Sequence, residues 1–385
     1  MPLAGGFVSK ANIKKKEIKV PLKVYFCEKC LLFQVKDSVS DKILFKNYKY
    51  SSSTIASLSE HFKDYSNKIK NIFSKNKSVK LLEFGANDGV LLSNFKKDKN
   101  FFCLGVDPAK NMTRLAIKKN LNYFTGLFNK KNALKIKRQF GEFDFITGSN
   151  VFAHIDDIHS VVKAAKVLLK KKGSFVTEVH YLPNLINLNQ YDFIYHEHLN
   201  YYTLSSLVKL FNMHEMNLYK FEKIKTHGGS IRVYVSLNLN KKKSKKLIQT
   251  IKTEKKINIP YFKRFIKNSL HQKNTLKKLL LDLRNKKKLV YGFGASGRGT
   301  ILVNFCKIDK SFIKYIIDES PLRSGKYMPG VKIPIKNFNF LLKQIKKIDY
   351  MLIIAWNYSN SIIRKIKKIN KKIKFIIPFP LPRII

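Results

Sequence analysis

The chain has 385 residues, 44% of them hydrophobic and 12% aromatic, which is enough for two or three folded domains with a sizeable core and argues against a disordered chain. No apolar run approaches the ~18–20 residues that cross a bilayer, and "MPLAGGFVSKANIKKK" lacks the pattern of a signal peptide, so a cytoplasmic protein with no membrane partner is expected. The net charge of +51 invites a nucleic-acid reading, but the lysines run the whole length and gather on no module, so the excess reads as solvated surface that would still attract acidic small substrates.

Residues 1–55 are short, irregular and polar, with strand-like pieces "PLKVYFC" and "LFQV". Cys27 and Cys30 form "CEKC" here, half of a four-ligand zinc site, whereas Cys103 and Cys306 sit in apolar runs and read as core. The stretch "SSSTIASLSEHFKDYSNKIKNIF" is helical in pattern, with Ser or Thr as N-cap. Strands and helices then alternate, through "SVKLLEFGANDG", "NFFCLGVDPAKNM", "FDFITGSNVFAH" and "GSFVTEVHYL", which predicts a parallel sheet covered by helices. A helix at about 204–216, with Thr203 as its N-cap, and the strands "LYKFEKIK" and "GGSIRVYVSL" close this unit. Residues 240–257 form a charged helical bridge, and a second alternating unit follows from "KLVYGFGASGRGTILVNFC" to "KFIIPFP". The expected division is 1–53, 54–239 and 240–385: a small N-terminal piece and two Rossmann-like α/β domains.

Three motifs carry chemistry. In "LLEFGANDG" a buried strand runs through Glu83 into Gly85, Asn87 and Gly89, and a helix is expected to start near Val90, offering its free N–H groups to a ligand. Asp107 ends the next strand, where a carboxylate suits the paired hydroxyls of a ribose. That spacing, without GxGxxG, suits S-adenosylmethionine better than a dinucleotide. In "GFGASG", Gly292, Gly294 and Gly297 stand in GxGxxG register and Asp318 ends the next strand, a formal dinucleotide fingerprint with no hydride-transfer pair beside it. In "YHEHLNYYT", a regular strand would put His196 and His198 on one face and Tyr195 and Glu197 on the other. This stretch is open to three readings: a metal clip lacking a third ligand, polar core filling, or an acid–base site. His154, beyond "FDFITGSN" at the carboxyl edge where such sheets bind ligands, favours the last.

Taken in order, "EFGANDG", "VFAHIDD", "YHEHLNYYTLSSL", "HGGSIRVYV", "YGFGASGRGTILVNFC", "YMPGVKIPI" and "AWNYS" resemble the sugar C-methyltransferases over nearly the whole chain. These S-adenosylmethionine-dependent enzymes methylate a carbon of a nucleotide-linked 4-keto deoxysugar, in three domains: zinc-binding, class I methyltransferase and C-terminal Rossmann-like. The resemblance implies His198 as general base, with Tyr195, Glu197 and His154 in the catalytic group. It implies Tyr48 or Tyr50 of "NYKYSSS" and His227 against the sugar, and Glu83, Gly85, Asn87, Gly89 and Asp107 against the donor. Such a protein would be a monomer or homodimer without a nucleic-acid partner. Two departures stand out. Only one CxxC is present and "MPLAGGF" resembles the middle of the family's zinc domain, so either an upstream start is missed or the metal is lost; the chain as given is expected to hold zinc weakly or not at all. Arg298 stands where a lysine is expected. The rival activities are O- or N-methylation of a related substrate, and a nicotinamide-dependent sugar-nucleotide oxidoreductase using Gly292–Gly297.

Overall fold

The computed structural model describes residues 1–36, 39, 53 and 56–385, apart from the side chains of residues 56, 57 and 227. Tyr48 and Tyr50 lie outside the described residues, as does the side chain of His227.

The N-terminal piece supplies β1 (Val24–Cys27) and β2 (Leu32–Val35), paired antiparallel across the CEKC turn. After α1 (Ala56–Ile72) the chain alternates: β3 (Val79–Phe84), β4 (Phe101–Asp107), α2 (Lys110–Lys118), β5 (Asn122–Thr125), α3 (Lys130–Phe140), β6 (Phe143–Ser149), α4 (Ile158–Leu168) and β7 (Leu169–His180). Then come α5 (Leu182–Asn187), β8 (Asn200–Tyr201), α6 (Leu204–Asn212), β9 (Asn217–Ile224) and β10 (Ser230–Ser236). Strands β3–β7, β9 and β10 form one seven-stranded sheet in the order β5-β4-β3-β6-β7-β10-β9, parallel except for the β7–β10–β9 pairings. Strand β3 is buried on both faces, as a central parallel strand is, and takes Glu83 into the interior with it. The chain enters at β3, winds out to β5 and returns to β6. That reversal opens a crevice above the carboxyl ends of β3 and β6.

The bridge is α7 (Lys245–Glu254), followed by the long α8 (Ile259–Asn285). The second unit holds β11 (Val290–Phe293), α9 (Gly297–Phe305), β12 (Ile316–Ile317), β13 (Ile335–Lys336), α10 (Phe338–Gln344), β14 (Tyr350–Ile353), α11 (Ser359–Lys367), β15 (Lys374–Ile377) and β16 (Arg383–Ile384). Its sheet runs β13-β12-β11-β14-β15-β16, parallel except for the last pair.

Several expectations need correction. No α-helix starts near Val90; the glycine turn leads only into a four-residue 3-10 turn, Leu92–Phe95, so it has no α-helix N-terminus to offer a ligand. The short edge strand β5, with a mixed burial pattern, escapes the sequence reading. Helix α6 stops at Asn212, and its N-cap is Thr203 as the sequence suggests, in a reciprocal cap with Ser206. Cys306 is fully buried, but Cys103 only partly.

One apolar core fills the seven-stranded sheet around Phe84, Phe143, Phe152 and Phe175. Another is shared by all three units: Phe33 and Val35 of β2, Leu185 of α5, Tyr201 of β8, Phe262 and Leu280 of α8, and Leu352 of β14. Strand β8 belongs to neither large sheet; it pairs with β2, Phe33 opposite Tyr201. The "YHEH" segment therefore runs between the units, clamped by all of them. Among the described residues no helix is long and apolar enough to cross a membrane.

Candidate active site

The crevice is built first by the glycine turn. Gly85 has φ +62, and a Cβ there would lie 2.6 Å from Val151 Cγ2, so glycine lets the turns after β3 and β6 close on each other. Asn87 is left-handed (φ 50), and its backbone N–H donates to Asp107 Oδ2 at 2.9 Å. The N–H of Ala109 donates to Asp107 Oδ1 at 2.8 Å, and Gly89 closes the turn by donating to the Ala86 carbonyl at 2.9 Å. The Asp107 carboxylate is thus aimed from the tip of β4, and burial raises its pKa against the pull of those two N–H groups.

Glu83, at the end of β3, is buried, and its pKa is pushed well above the usual carboxylate range by burial and then by Asp107, Asp88 and Glu178. Its Oε2 has no hydrogen-bond partner among the described residues, and neither has the hydroxyl of Ser149 at the end of β6. Buried polar atoms without partners are costly. A ligand bringing a cation and hydroxyl or amino donors into this crevice would satisfy them, and S-adenosylmethionine fits that description. We expect Asp107→Ala to weaken S-adenosylhomocysteine by about 1–3 kcal/mol in calorimetry, because a charge-assisted partner is lost. Unchanged affinity would take Asp107 out of the site.

Residues 195–198 form a turn rather than a strand, which corrects the two-face expectation. The two histidines diverge. His196 is wholly buried, and its Nε2 donates to the carbonyls of Val20 and Pro21, both at 3.1 Å, tying the turn to the N-terminal piece. His198 points the other way. Its Nδ1 lies 3.1 Å from the Phe193 carbonyl, which can only accept, so Nδ1 carries the proton. In the neutral ring Nε2 then accepts from the Tyr195 hydroxyl at 2.9 Å. The His154 ring stands edge-on to His198 with centroids 4.8 Å apart. Burial lowers the pKa of His154 to about 4, so that ring is neutral near pH 7. The carboxyl of Glu197 faces Gly5 of the N-terminal piece, and a Cβ on Gly5 would sit 3.3 Å from Oε1. The structure therefore brings together His154, Tyr195 and His198, turns the Glu197 carboxyl toward the N-terminal piece, and sends His196 elsewhere.

Burial pushes Glu197 up to about 7 from an ordinary 4.5. The raised value has a testable sign: ionising Glu197 costs the folded state more than the unfolded one, so stability falls as pH rises from 4.5 to 7 and levels above. Glu197→Gln should remove roughly 3 kcal/mol of that slope. Urea unfolding at pH 5 and pH 8 measures it, and a slope equal in both proteins would contradict the assignment.

Three anchors have no signal in the sequence. Glu254, on the charged bridge, is buried and accepts from the Tyr181 hydroxyl and from the N–H groups of Leu204 and Ser205, each at 2.7 Å, closing the start of α6. Glu178 on β7 lies directly opposite Arg232 on β10 and receives its Nε at 2.7 Å, while His61 Nε2 of α1 donates to it at 2.9 Å. Asp192, three residues before Tyr195, meets Arg298 of the second glycine turn at 2.8 Å. A periodic pattern cannot reveal such pairs, because their partners are distant in sequence.

The second glycine turn is filled by protein. Ala4 packs 3.4 Å from where a Gly297 Cβ would be, and its carbonyl accepts from the Thr300 hydroxyl at 3.1 Å. The Asp318 carboxylate, which a dinucleotide ribose would need, is held by two backbone N–H groups as Asp107 is, but pairs in addition with Arg323 at 3.3 Å. Cys27 and Cys30 flank the β1–β2 turn, and among the described residues no group of three or more His, Cys, Asp or Glu could hold a metal. Two thiolates supply half of a tetrahedral zinc site.

The strand order with its glycine turn and its acid-tipped β4 defines a class I methyltransferase that uses S-adenosylmethionine. Family models match in three consecutive blocks: "Putative zinc binding domain" over residues 1–45, "Methyltransferase domain" over 57–220 and "C-methyltransferase C-terminal domain" over 225–380. The C-methyltransferase NovU of Streptomyces niveus is 28% identical over 389 aligned positions, covering 100% of this chain and 92% of that protein. The chain is thus an S-adenosylmethionine-dependent methyltransferase that is similar to C-methyltransferases along its whole length. Among solved structures, an S-adenosylmethionine-dependent methyltransferase from Clostridium acetobutylicum is 18% identical over 51% of this chain and 95% of its own, with a TM-score of 0.37. The PH0226 protein from Pyrococcus horikoshii is 16% identical over 49% and 96%, with a TM-score of 0.38.

Proposed function

We propose that this methyltransferase acts at the carbon beside the ketone of a nucleotide-linked 4-keto deoxysugar, a small acidic substrate, and that His198 removes the proton from that carbon. The observation that carries the reading is the Phe193–His198–Tyr195 chain of hydrogen bonds. It presents a neutral imidazole with its lone pair toward a phenol, beside His154 at the carboxyl edge of the sheet. Such a carbon is acidic only if its enolate is held, so the site needs a base of near-neutral pKa and an oxyanion donor together. His198 Nε2 takes the proton, and the Tyr195 hydroxyl turns from Nε2 to the developing oxyanion. Glu197 lines the sugar side, with Tyr48 or Tyr50 and His227 as further sugar contacts. His154, held neutral by its burial, donates no charge and shapes the pocket.

S-adenosylmethionine supplies the electrophilic methyl. Glu83, Gly85, Asn87, Gly89 and Asp107 would hold it, with Asp107 toward the ribose. The division 1–53, 54–239 and 240–385 is kept as a working one, although β8 crosses it by joining the N-terminal sheet. The reading is tested by incubating candidate dTDP-4-keto sugars with the enzyme in deuterated water and following the α-proton. Exchange that depends on the enzyme supports it. Methyl transfer to oxygen or nitrogen with no exchange overturns it.

A further inference from the structure

The second glycine turn carries a buried cation whose surroundings point back toward the first domain. Arg298 follows Gly297 at the start of α9, and its side chain is 13% exposed. Its Nε and Nη2 reach Asp192 Oδ2 at 3.0 and 2.8 Å, and the indole Nε1–H of Trp356 donates to the same oxygen at 2.9 Å. The guanidinium carbon lies 3.6 Å from the ring centroid of Phe193, the next residue along, and 4.7 Å from that of Trp356. The His180 ring stacks on Phe193 with centroids 4.0 Å apart and planes within 17°. Two groups so close to one ring centroid must take opposite faces, so Phe193 is sandwiched between His180 of the first domain and Arg298 of the second. The carbonyl of Phe193 is the acceptor that fixes Nδ1–H of His198, and it also accepts from the Tyr201 hydroxyl at 2.9 Å.

We propose that Arg298 is a positioning residue: by clamping Asp192 and the Phe193 ring it holds the Phe193 carbonyl, and through it the tautomer and orientation of His198. The glycine turn that reads as a dinucleotide fingerprint here serves to bring α9 and its cation against the catalytic segment. Arg is suited to the task because two guanidinium nitrogens converge on one Asp192 oxygen while its planar face stacks on aromatics, which a lysine cannot do. The proposal rests on the reading of His198 as base.

The test uses the full chain labelled with ¹⁵N-histidine, with the His198 signals assigned from His198→Gln. Long-range ¹H–¹⁵N spectra of the wild type should show Nδ1 protonated and Nε2 as the acceptor. Arg298→Lys keeps the charge and loses the fork and the stacking. It should move His198 toward the Nε2–H tautomer and slow α-proton exchange by about 10–100-fold, as small misplacements of a catalytic group do. S-adenosylhomocysteine affinity should stay unchanged, which also reports that the first domain is folded. The double variant Asp192→Asn/Arg298→Met removes both buried charges at once. If Arg298 merely neutralised Asp192, this variant would keep the wild-type His198 spectrum and exchange rate, and the proposal would fall. The expected result is that both remain impaired. A wild-type His198 spectrum in Arg298→Lys would equally overturn it. A wild-type enzyme that exchanges no keto-sugar proton, with spectra that still respond to Arg298, would sink the substrate reading and leave the positioning role standing.

Discussion

His198→Ala should lower the rate of methyl transfer by ~10²–10⁴-fold and abolish exchange of the substrate α-proton, the usual cost of removing a positioned base. The affinity for S-adenosylhomocysteine should hardly change, because His198 stands with Tyr195 and His154 rather than with Asp107. His196→Ala should leave the chemistry less affected and loosen the N-terminal piece instead, since its ring holds the carbonyls of Val20 and Pro21. Stopped-flow exchange with mass spectrometry measures the first effect. Normal proton exchange in His198→Ala with methylation alone lost would contradict the assignment and move the base to His154.

The second large effect concerns stability. Arg232→Met should lower the unfolding free energy by about 3–5 kcal/mol, because it strands Glu178 as a buried charge with only His61 beside it. Arg232 is itself buried and stacks 3.6 Å over the Tyr65 ring, whose hydroxyl bonds Thr147 of β6 at 2.8 Å, so the change also opens a void beneath α1. Burial raises the pKa of Glu178, but the hydrogen bond from His61 and the charge of Arg232 outweigh it and leave the carboxyl below its ordinary value. Its stabilising contribution is therefore present above about pH 4.5 and lost as pH falls through the folded value. The variant should lose that acid limb of the stability curve. Donor affinity should fall as well, since the Glu178 carbonyl holds Asn150 at 2.9 Å beside the crevice. Urea unfolding at pH 7 decides the matter, and a loss under about 1 kcal/mol would contradict the buried-pair account.

The sequence made some parts of this molecule legible for physical reasons. Alternating strands and helices leave a periodic trace, and so do a glycine turn and a carboxylate about one strand–helix unit apart, which is why the turn at Gly85 and the strand end at Asp107 are legible. Thr203 was legible as a cap because capping is local. Val90 misled because a glycine turn after a buried strand usually opens an α-helix, whereas here the chain makes one tight 3-10 turn. The "YHEH" stretch misled in the opposite way: alternation assumes an extended backbone, and a turn sends His196 and His198 apart. Glu254, Asp192 and Arg298 were illegible as anchors because their partners come from other units of the fold. The same interleaving explains why GxGxxG suggested a dinucleotide: the motif specifies a close backbone approach, and here the backbone that approaches is Ala4.

The most direct test of the account is to give the enzyme S-adenosylmethionine carrying a ¹³C-methyl group together with dTDP-4-keto deoxysugars in deuterated water, and to read the product by NMR. The account predicts a gain of one methyl whose ¹³C couples to a sugar carbon beside the ketone, one equivalent of S-adenosylhomocysteine, and deuterium appearing at that carbon when the donor is withheld. A labelled methyl on oxygen or nitrogen, or a donor-free sample in which no deuterium enters the sugar, would contradict it.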